Sequence, residues 1–347
     1  MFEQMAKTPA GWLSGKGEES SVVLSTRIRL ARNISDMNYP TSADNATRDK
    51  ILEYVDSAVK KSEFLGHGEF YRTEDISETD TDFLVERHLI SPTMTDKLTG
   101  AGVYIGPQEQ VSVMINEEDH LRIQAITMGL EMDRTMELAA QYDNEIGRLL
   151  EYDYDSDFGF LTACPTNVGT GLRASVLIHL PGLVLTRDID MVIQKITKMG
   201  LAVRGFYGEG TDVLGNLFQI SNQSTLGKSE SDILEDIERV TRMIISDEAT
   251  ARNRLKDEAY DQICDKIWRA FGILKYARVL SSEEVMNLLS AVRLGMAIGV
   301  IENISIDTIN EILLLSQPAH LVKFYGEDLD SAQRDTLRAE MVREKLR

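Results

Sequence analysis

The ten residues Cys164-Pro-Thr-Asn-Val-Gly-Thr-Gly-Leu-Arg173 join a soft nucleophile, a rigid proline turn, a glycine-spaced bend and a permanent cation. Such a segment can bring backbone N–H groups and a guanidinium to one phosphate with a thiol beside it. No Gly-Lys-Ser/Thr follows, so it is not a Walker A loop, and it lacks the GxGxxG of a dinucleotide fold. The stretch reads as a phosphate site of another kind, which must recruit further positive charge from elsewhere in the chain.

That charge is scarce. The 347 residues carry a net charge of −19. Residues 246–347 hold 17 acids and 14 bases, so the first 245 carry −16 of that total. Such a balance argues against nucleic-acid or anionic-membrane surfaces as partners. An acidic chain that binds a polyanion must concentrate its cations in one pocket, which dispersed arginines converging on folding would do. Two cysteines, Cys164 and Cys264, make neither a disulfide framework nor a zinc site. No N-terminal apolar leader is present, and no apolar run reaches the roughly 18 residues of a membrane span, so a cytoplasmic protein is expected.

At 43% hydrophobic, the chain can bury one large core or two ordinary ones. Asp44–Leu65 is predicted to be a capped amphipathic helix with Ile51, Leu52, Val55 and Val59 on one face. Val111, Val113 and Ile115 alternate with Ser112, Met114 and Asn116, the pattern of a half-buried strand. Ser175–Leu180, Leu201–Tyr207 and Leu217–Ile220 are further strand candidates. Beyond about Ser229 the apolar spacing becomes helical and stays so to Ser331–Leu346. The expected fold is α+β: a mostly antiparallel sheet flanked by helices over 1–245, then a separate all-helical domain over 246–347.

Five arginines sit beside predicted strands. Arg27 and Arg29 alternate and would leave the same strand face. Arg122 follows Glu117-Glu118-Asp119-His120, Arg173 closes the glycine segment, and Arg204 leads into Gly205-Phe-Tyr-Gly-Glu209-Gly. Any one of them is ordinarily a surface ion-pair partner. Five in such settings point to a shared anion, although spacing alone does not prove convergence.

Ser25-Thr-Arg-Ile-Arg-Leu-Ala-Arg-Asn, Asn116-Glu-Glu-Asp-His-Leu-Arg-Ile, the Cys164–Arg173 stretch and Arg204-Gly-x-x-Gly-Glu209 follow the order seen in the phosphagen (guanidino) kinases, which this chain resembles over roughly 21–227. The resemblance implies a catalytic domain built on an antiparallel sheet. It implies that Ser25, Thr26, Arg27, Arg29, Arg122, Arg173 and Arg204 hold the phosphates of ATP or ADP, with His88 near the adenine. Arginine stays cationic and binds phosphate oxygens with a planar fork, so such a cage can replace a P-loop lysine. Glu118 and Glu209 would grip the acceptor guanidinium and take its proton, and Glu209 marks arginine as the preferred acceptor. Cys164 corresponds to the family's reactive cysteine, and Glu117 would reach Mg2+ through water. Two departures stand out. Leu177 occupies the place of a family histidine, with His179 two residues on. The first motif strand begins at Ser25, which leaves no room for the helical domain that lids small guanidino substrates.

Arg334-Asp335-Thr-Leu-Arg338-Ala339 extends the resemblance to the McsB-type bacterial protein-arginine kinases. By that resemblance Arg334, Asp335 and Arg338 form an allosteric phosphoarginine pocket. The activity implied is ATP-dependent phosphorylation of arginine side chains in proteins, within bacterial stress response and protein quality control. Implied partners are a heat-shock repressor or damaged proteins as substrates, a zinc-binding activator protein, a Clp-type unfoldase–protease and a second copy of the chain as homodimer. The alternatives are a kinase for free arginine and an inactive adaptor that reads phosphoarginine.

Overall fold

The computed structural model describes residues 2–13, 17–96, 99–205, 213–326 and 329–347. Its strands are β1 (Val23–Arg32), β2 (Glu69–Arg72), β3 (Gly102–Ile105), β4 (Val111–Ile115), β5 (Leu121–Met128), β6 (Tyr154–Asp155), β7 (Gly159–Phe160), β8 (Leu172–His179), β9 (Leu201–Arg204) and β10 (Leu217–Asn222). Eight of them form one sheet in the order β2-β3-β4-β5-β1-β8-β10-β9, antiparallel at every pairing, and β6–β7 is a small hairpin of its own.

The central strand β1 decides what each face of the sheet becomes. Its even positions Ile28 and Leu30 sit opposite Ala125 and Ile123 on β5 and opposite Ala174 and Leu172 on β8. These are all apolar and fully buried. Its odd positions Arg27 and Arg29 belong to the other face, because successive strand side chains alternate.

The helices are α1 (Asn45–Lys61), α2 (Glu78–Glu86), α3 (Met132–Leu149), α4 (Pro181–Leu185), α5 (Ile189–Lys198), α6 (Glu230–Glu258), α7 (Tyr260–Tyr276), α8 (Ser282–Ala297), α9 (Ile306–Leu315), α10 (Pro318–Tyr325) and α11 (Ser331–Lys345). Of these, α1, α3, α4, α5 and α6 pack into the core on the apolar face. In α1 the Asp44 side chain accepts the Thr47 amide at 2.9 Å, while Ile51, Leu52, Val55 and Val59 are buried as their spacing predicts. Each such side chain contributes about 1.5–3 kcal/mol when fully withdrawn from water. α3 and α6 add Ala139, Tyr142, Ile237, Val240 and Ile244 to the same core.

The expected division at 245/246 falls inside α6, which runs unbroken from its Ser229–Asp232 capping box to Glu258. The reason is a continuous stripe: Ile233, Ile237, Val240, Ile244 and Ala251 all pack into the sheet's core. The helix breaks at Ala259, and from Ile263 onward apolar residues enter a second core. That core also takes Leu24, Leu177 and Leu217 from β1, β8 and β10. The C-terminal helices are therefore seated on the sheet through that core. No strand occurs after residue 245 among the described residues, and no described helix is long and apolar enough to cross a membrane.

β1 is tied to α3 by a buried ion pair. Arg32, 1% exposed, donates from Nε and Nη2 to Asp143 at 3.0 and 2.7 Å, with its guanidinium 3.6 Å from the Phe160 ring centroid. Removing one partner strands a buried charge, so Asp143→Ala should lower unfolding free energy by about 3–5 kcal/mol. Asp56→Ala, which frees the largely exposed Lys60, should cost no more than about 0.5 kcal/mol. Urea denaturation of the two variants measures the contrast.

Candidate active site

Register carries the arginines together. Arg29 on β1 lies directly opposite Arg173 on β8, and Arg27 opposite Ser175. Arg122 on β5 pairs with Ala31, which has the parity of Arg27 and Arg29. On the other flank Leu177 pairs with Gln219 of β10, and Gln219 with Arg204 of β9. Following these pairs across the sheet puts all five arginines on one face. Gln219 bridges the set, accepting from Arg27 Nη2 at 2.9 Å.

Like charges opposite each other across strands are destabilising, and the cost is visible here. Burial first, then Arg122 and Arg173, depress the Arg27 pKa to about 10. Arg29 is held well below its ordinary value by burial and by Arg27, Arg122 and Arg173, with Glu117 opposing. Both side chains are half-buried. A polyanion with several oxygens relieves this repulsion, so the face fits a nucleotide's phosphates.

The remaining phosphate candidates divide. Ser25 shares the arginine face two residues before Arg27. Thr26 does not: alternation turns it to the opposite face, where it is fully buried and its hydroxyl donates to Gly129 O at 2.6 Å and accepts from Glu131 N at 3.1 Å. Its side chain fastens the entry to α3 instead of meeting phosphate. His88 is buried with Trp12 edge-on at 5.3 Å, and burial together with Arg27 pulls its pKa down to about 3. It stands as a neutral ring at the border of the arginine face. His179 is sealed beneath α8 with Nε2 2.8 Å from Ser290 Oγ, and burial, Arg293 and Arg252 hold it well below its usual pKa.

The carboxylates stand on the β4–β5 turn. Asn116 adopts a left-handed conformation, which asparagine tolerates, and its amide donates to His120 O at 3.0 Å. Arg122 reaches back to Glu117 at 2.8 Å and to Glu118 at 3.0 Å. Glu117 is buried, which raises its pKa, but Arg122, Ser91, Thr93 and the Glu118 amide outweigh this and hold it lowered. Three of those donors meet Oε1, and the Glu118 amide meets Oε2. Glu118 is 38% exposed and reachable from solvent. Glu209 lies outside the described residues.

Asp119, to which the sequence reading assigned no role, joins this turn to the cysteine segment. One carboxylate oxygen accepts from Ala163 N at 2.7 Å and from Asn33 Nδ2 at 2.7 Å, so β1, the Glu118 turn and the Cys164 approach share one anchor. Burial pushes Asp119 above its usual pKa against those two hydrogen bonds. The signal was present as an acid inside an acidic run. Only the fold shows that it points inward.

Cys164 is half-buried, with Sγ 3.0 Å from Thr166 Oγ1. Gly169 and Gly171 both have positive φ, and a Cβ on Gly171 would stand 2.6 Å from Ala31 O. Within the bend the Gly169 amide donates to Phe160 O and the Leu172 amide to Thr170 Oγ1. Its glycines let the chain fold against β1 and deliver Arg173 in register.

In the C-terminal region Arg334 and Arg338 do not present a shared ligand face. Arg338 is 1% exposed and donates to Ser316 O at 2.7 Å, to Leu280 O at 2.8 Å and to the Asp335 carboxylate. It is an internal staple. Arg334 is half-buried and lines a cleft of about 610 Å³ together with Glu86, Ser282, Glu283 and Ala319.

A face of crowded arginines beside a carboxylate turn defines a phosphotransferase site, and comparison with known proteins gives its class. Residues 50–251 match the family described as ATP:guanido phosphotransferase, C-terminal catalytic domain, and residues 260–347 match the protein-arginine kinase McsB C-terminal domain. The chain is 44% identical to a protein-arginine kinase of Desulforamulus reducens, covering 99% of this chain and 97% of that one. It is 43% identical to the protein-arginine kinase of Bacillus subtilis, covering 97% and 93%. Among solved structures, a lombricine kinase superposes with TM-score 0.61 at 25% identity, covering 72% of each chain. The duplicated taurocyamine kinase of Schistosoma mansoni, solved with transition-state analogue components, gives 0.59 at 28% identity, covering 71% of this chain and 35% of that one.

The enzyme is thus a guanidino phosphotransferase that uses ATP. The chain belongs to the ATP:guanido phosphotransferase family and carries the C-terminal domain of its protein-arginine kinases.

Asp119→Ala should cost about 1–3 kcal/mol of stability by leaving buried donors unpaired. It should also cut turnover by about 10²-fold through misplacement of Glu118 and Cys164. Asp119→Asn retains an acceptor oxygen and should recover most of both, as measured by denaturation and steady-state kinetics.

Proposed function

We propose that this chain is a protein-arginine kinase, transferring the γ-phosphoryl group of ATP to the guanidinium of arginine side chains in proteins. The observation that carries this reading is the pairing of the arginine face with a C-terminal region matching the protein-arginine kinase domain. Phosphoryl transfer asks the protein mainly to position reactants and neutralise charge. Arg27, Arg29, Arg122, Arg173 and Arg204 supply the neutralising face, with Ser25 at its edge and His88 beside the base. Glu118 orients the incoming guanidinium and takes its proton, a role shared with Glu209. Cys164 assists by holding the guanidinium and is not obligatory. Mg2+, held by the phosphates, would add charge neutralisation, with Glu117 as an outer partner.

The surrounding biology is part of the same proposal. Substrates are a heat-shock repressor and damaged proteins, marked in the stress response for a Clp-type unfoldase–protease. A zinc-binding protein is the activator, the chain acts in the cytoplasm, and two copies associate through the helical region. Phosphoarginine binds the cleft at Arg334 as an allosteric ligand, with Asp335 and Arg338 stiffening its wall from within.

Incubation with ATP and an unfolded arginine-bearing protein, read by mass spectrometry under non-acidic conditions, should reveal phosphoarginine. Glu118→Gln should reduce its formation by about 10²–10⁴-fold. Exclusive turnover of free arginine would instead establish an energy-buffer kinase, and phosphoarginine binding without turnover an adaptor. Arg334→Ala should blunt activation by added phosphoarginine while leaving basal rates intact; activation curves coinciding with the parent's would remove the allosteric assignment.

A further inference from the structure

Glu86 ends α2, and its carboxylate stands at the first turn of α10. Oε1 accepts from Ala319 N at 2.8 Å and Oε2 from His320 N at 2.9 Å. Those amides have no partner within the helix, and the helix dipole also favours an anion there. Oε2 lies 2.7 Å from His320 Nδ1 as well. This sets the tautomer: Nδ1 donates and Nε2 is left to accept from Arg87 Nη1, 3.4 Å away. Burial keeps the His320 pKa depressed in spite of Glu86. Both members of the couple are buried.

The contacts continue toward the arginine face. Arg87 is fully buried and clamped by Glu109 at 2.5 and 2.7 Å, and its carbonyl accepts from Trp12 Nε1 at 3.1 Å. His88 follows in a left-handed conformation, its ring against Trp12 and its carbonyl accepting from Gln124 Nε2 at 2.6 Å. Gln124 is the direct cross-strand neighbour of Arg29. An unbroken series of buried hydrogen bonds and chain neighbours thus runs from α10 to the middle of the phosphate-facing row.

We infer that Glu86 and His320 form a positioning couple through which the C-terminal helices set the nucleotide wall at Trp12, His88 and Gln124. This rests on the reading of His88 as the residue beside the base. The couple touches no reactant. It acts by fixing where α2 ends, and so where Arg87 and His88 begin. Glu86 and Ala319 also line the cleft that holds Arg334, so the couple stands where a cleft ligand would press. A bland alternative is a mere staple between α2 and α10. Lys323 and Asp80 provide that comparison, since they join the same two helices at 2.6 Å without contact to Arg87 or His88.

The test uses the full chain, with ATP affinity measured by titration, kinetics on an arginine-bearing protein, and thermal melting. His320→Ala should raise both the dissociation constant and the KM for ATP about tenfold while kcat changes by less than about twofold. His320→Asn, which restores a donor toward Glu86, should recover ATP affinity to within about twofold of the parent. Lys323→Ala should lower the melting temperature with no change in ATP affinity. Should His320→Ala prove unstable, Glu86→Gln supplies the same readout, because the amide keeps one acceptor oxygen but loses the charge and turns an NH2 toward a helix N–H that the carboxylate had bound. Equal losses of affinity in His320→Ala and Lys323→Ala, or an unchanged dissociation constant in His320→Ala, would overturn the couple. With the parent still phosphorylating protein arginine, that result leaves the proposed activity standing. A parent chain that binds no ATP removes both.

Discussion

Mutual repulsion among arginines on one face of an antiparallel sheet is the constraint around which this molecule is organised. Burial, with the neighbouring charges of Arg122 and Arg173, depresses the proton affinity of Arg27 and Arg29, a cost that a bound anion would relieve. The sheet withstands it because the centre of its other face is apolar: Ile28, Leu30, Ile123, Ala125, Leu172 and Ala174 share the core of α1, α3 and α6. One strand alternation serves both ends. The odd residues of β1 create an electrostatic cost for function, and the even residues supply the burial that offsets it.

Rigidity around the site comes from polar residues turned inward. Asp119 ties the Glu118 turn to the Cys164 approach, Thr26 secures the entry to α3, and Arg32 locks β1 to Asp143. Each is a polar or charged side chain placed where loss of a partner is costly, which is why each specifies a geometry and does more than fill space. The C-terminal helices add a further layer by seating on Leu24, Leu177 and Leu217, at the end of the same face that holds the arginines. Catalytic sheet and helical region share a core, so neither can shift without disturbing packing in the other.

Much of this was legible from residue order. Asp44 and its apolar stripe announced α1, the Val111–Ile115 alternation announced β4, and the Arg27/Arg29 spacing announced a cationic strand face, because helix and strand periodicities are local properties. Thr26 shows the limit of carrying a motif over whole: adjacency to Arg27 in sequence is opposition across a strand. Arg338 shows another. Spacing of four placed it beside Arg334, but nothing in the helix itself says which flank faces Ser316 and Leu280 and which faces the cleft. The position 245/246 illustrates the same point, since it lies inside α6, whose stripe continues across it to pack on a sheet that is distant in sequence.

What the chain determined by itself was the inventory: five arginines beside strands, a carboxylate run, a cysteine before a glycine bend, and a helical C-terminal third. Tertiary structure alone decided the company each residue keeps. It put Arg29 across from Arg173, Asp119 under Ala163, and Glu86 against His320, pairs joined through hydrogen bonds between segments up to 234 residues apart. The physical reason is that register and helix docking are settled by burial of apolar faces over the whole sheet, a collective quantity that no local window of sequence contains.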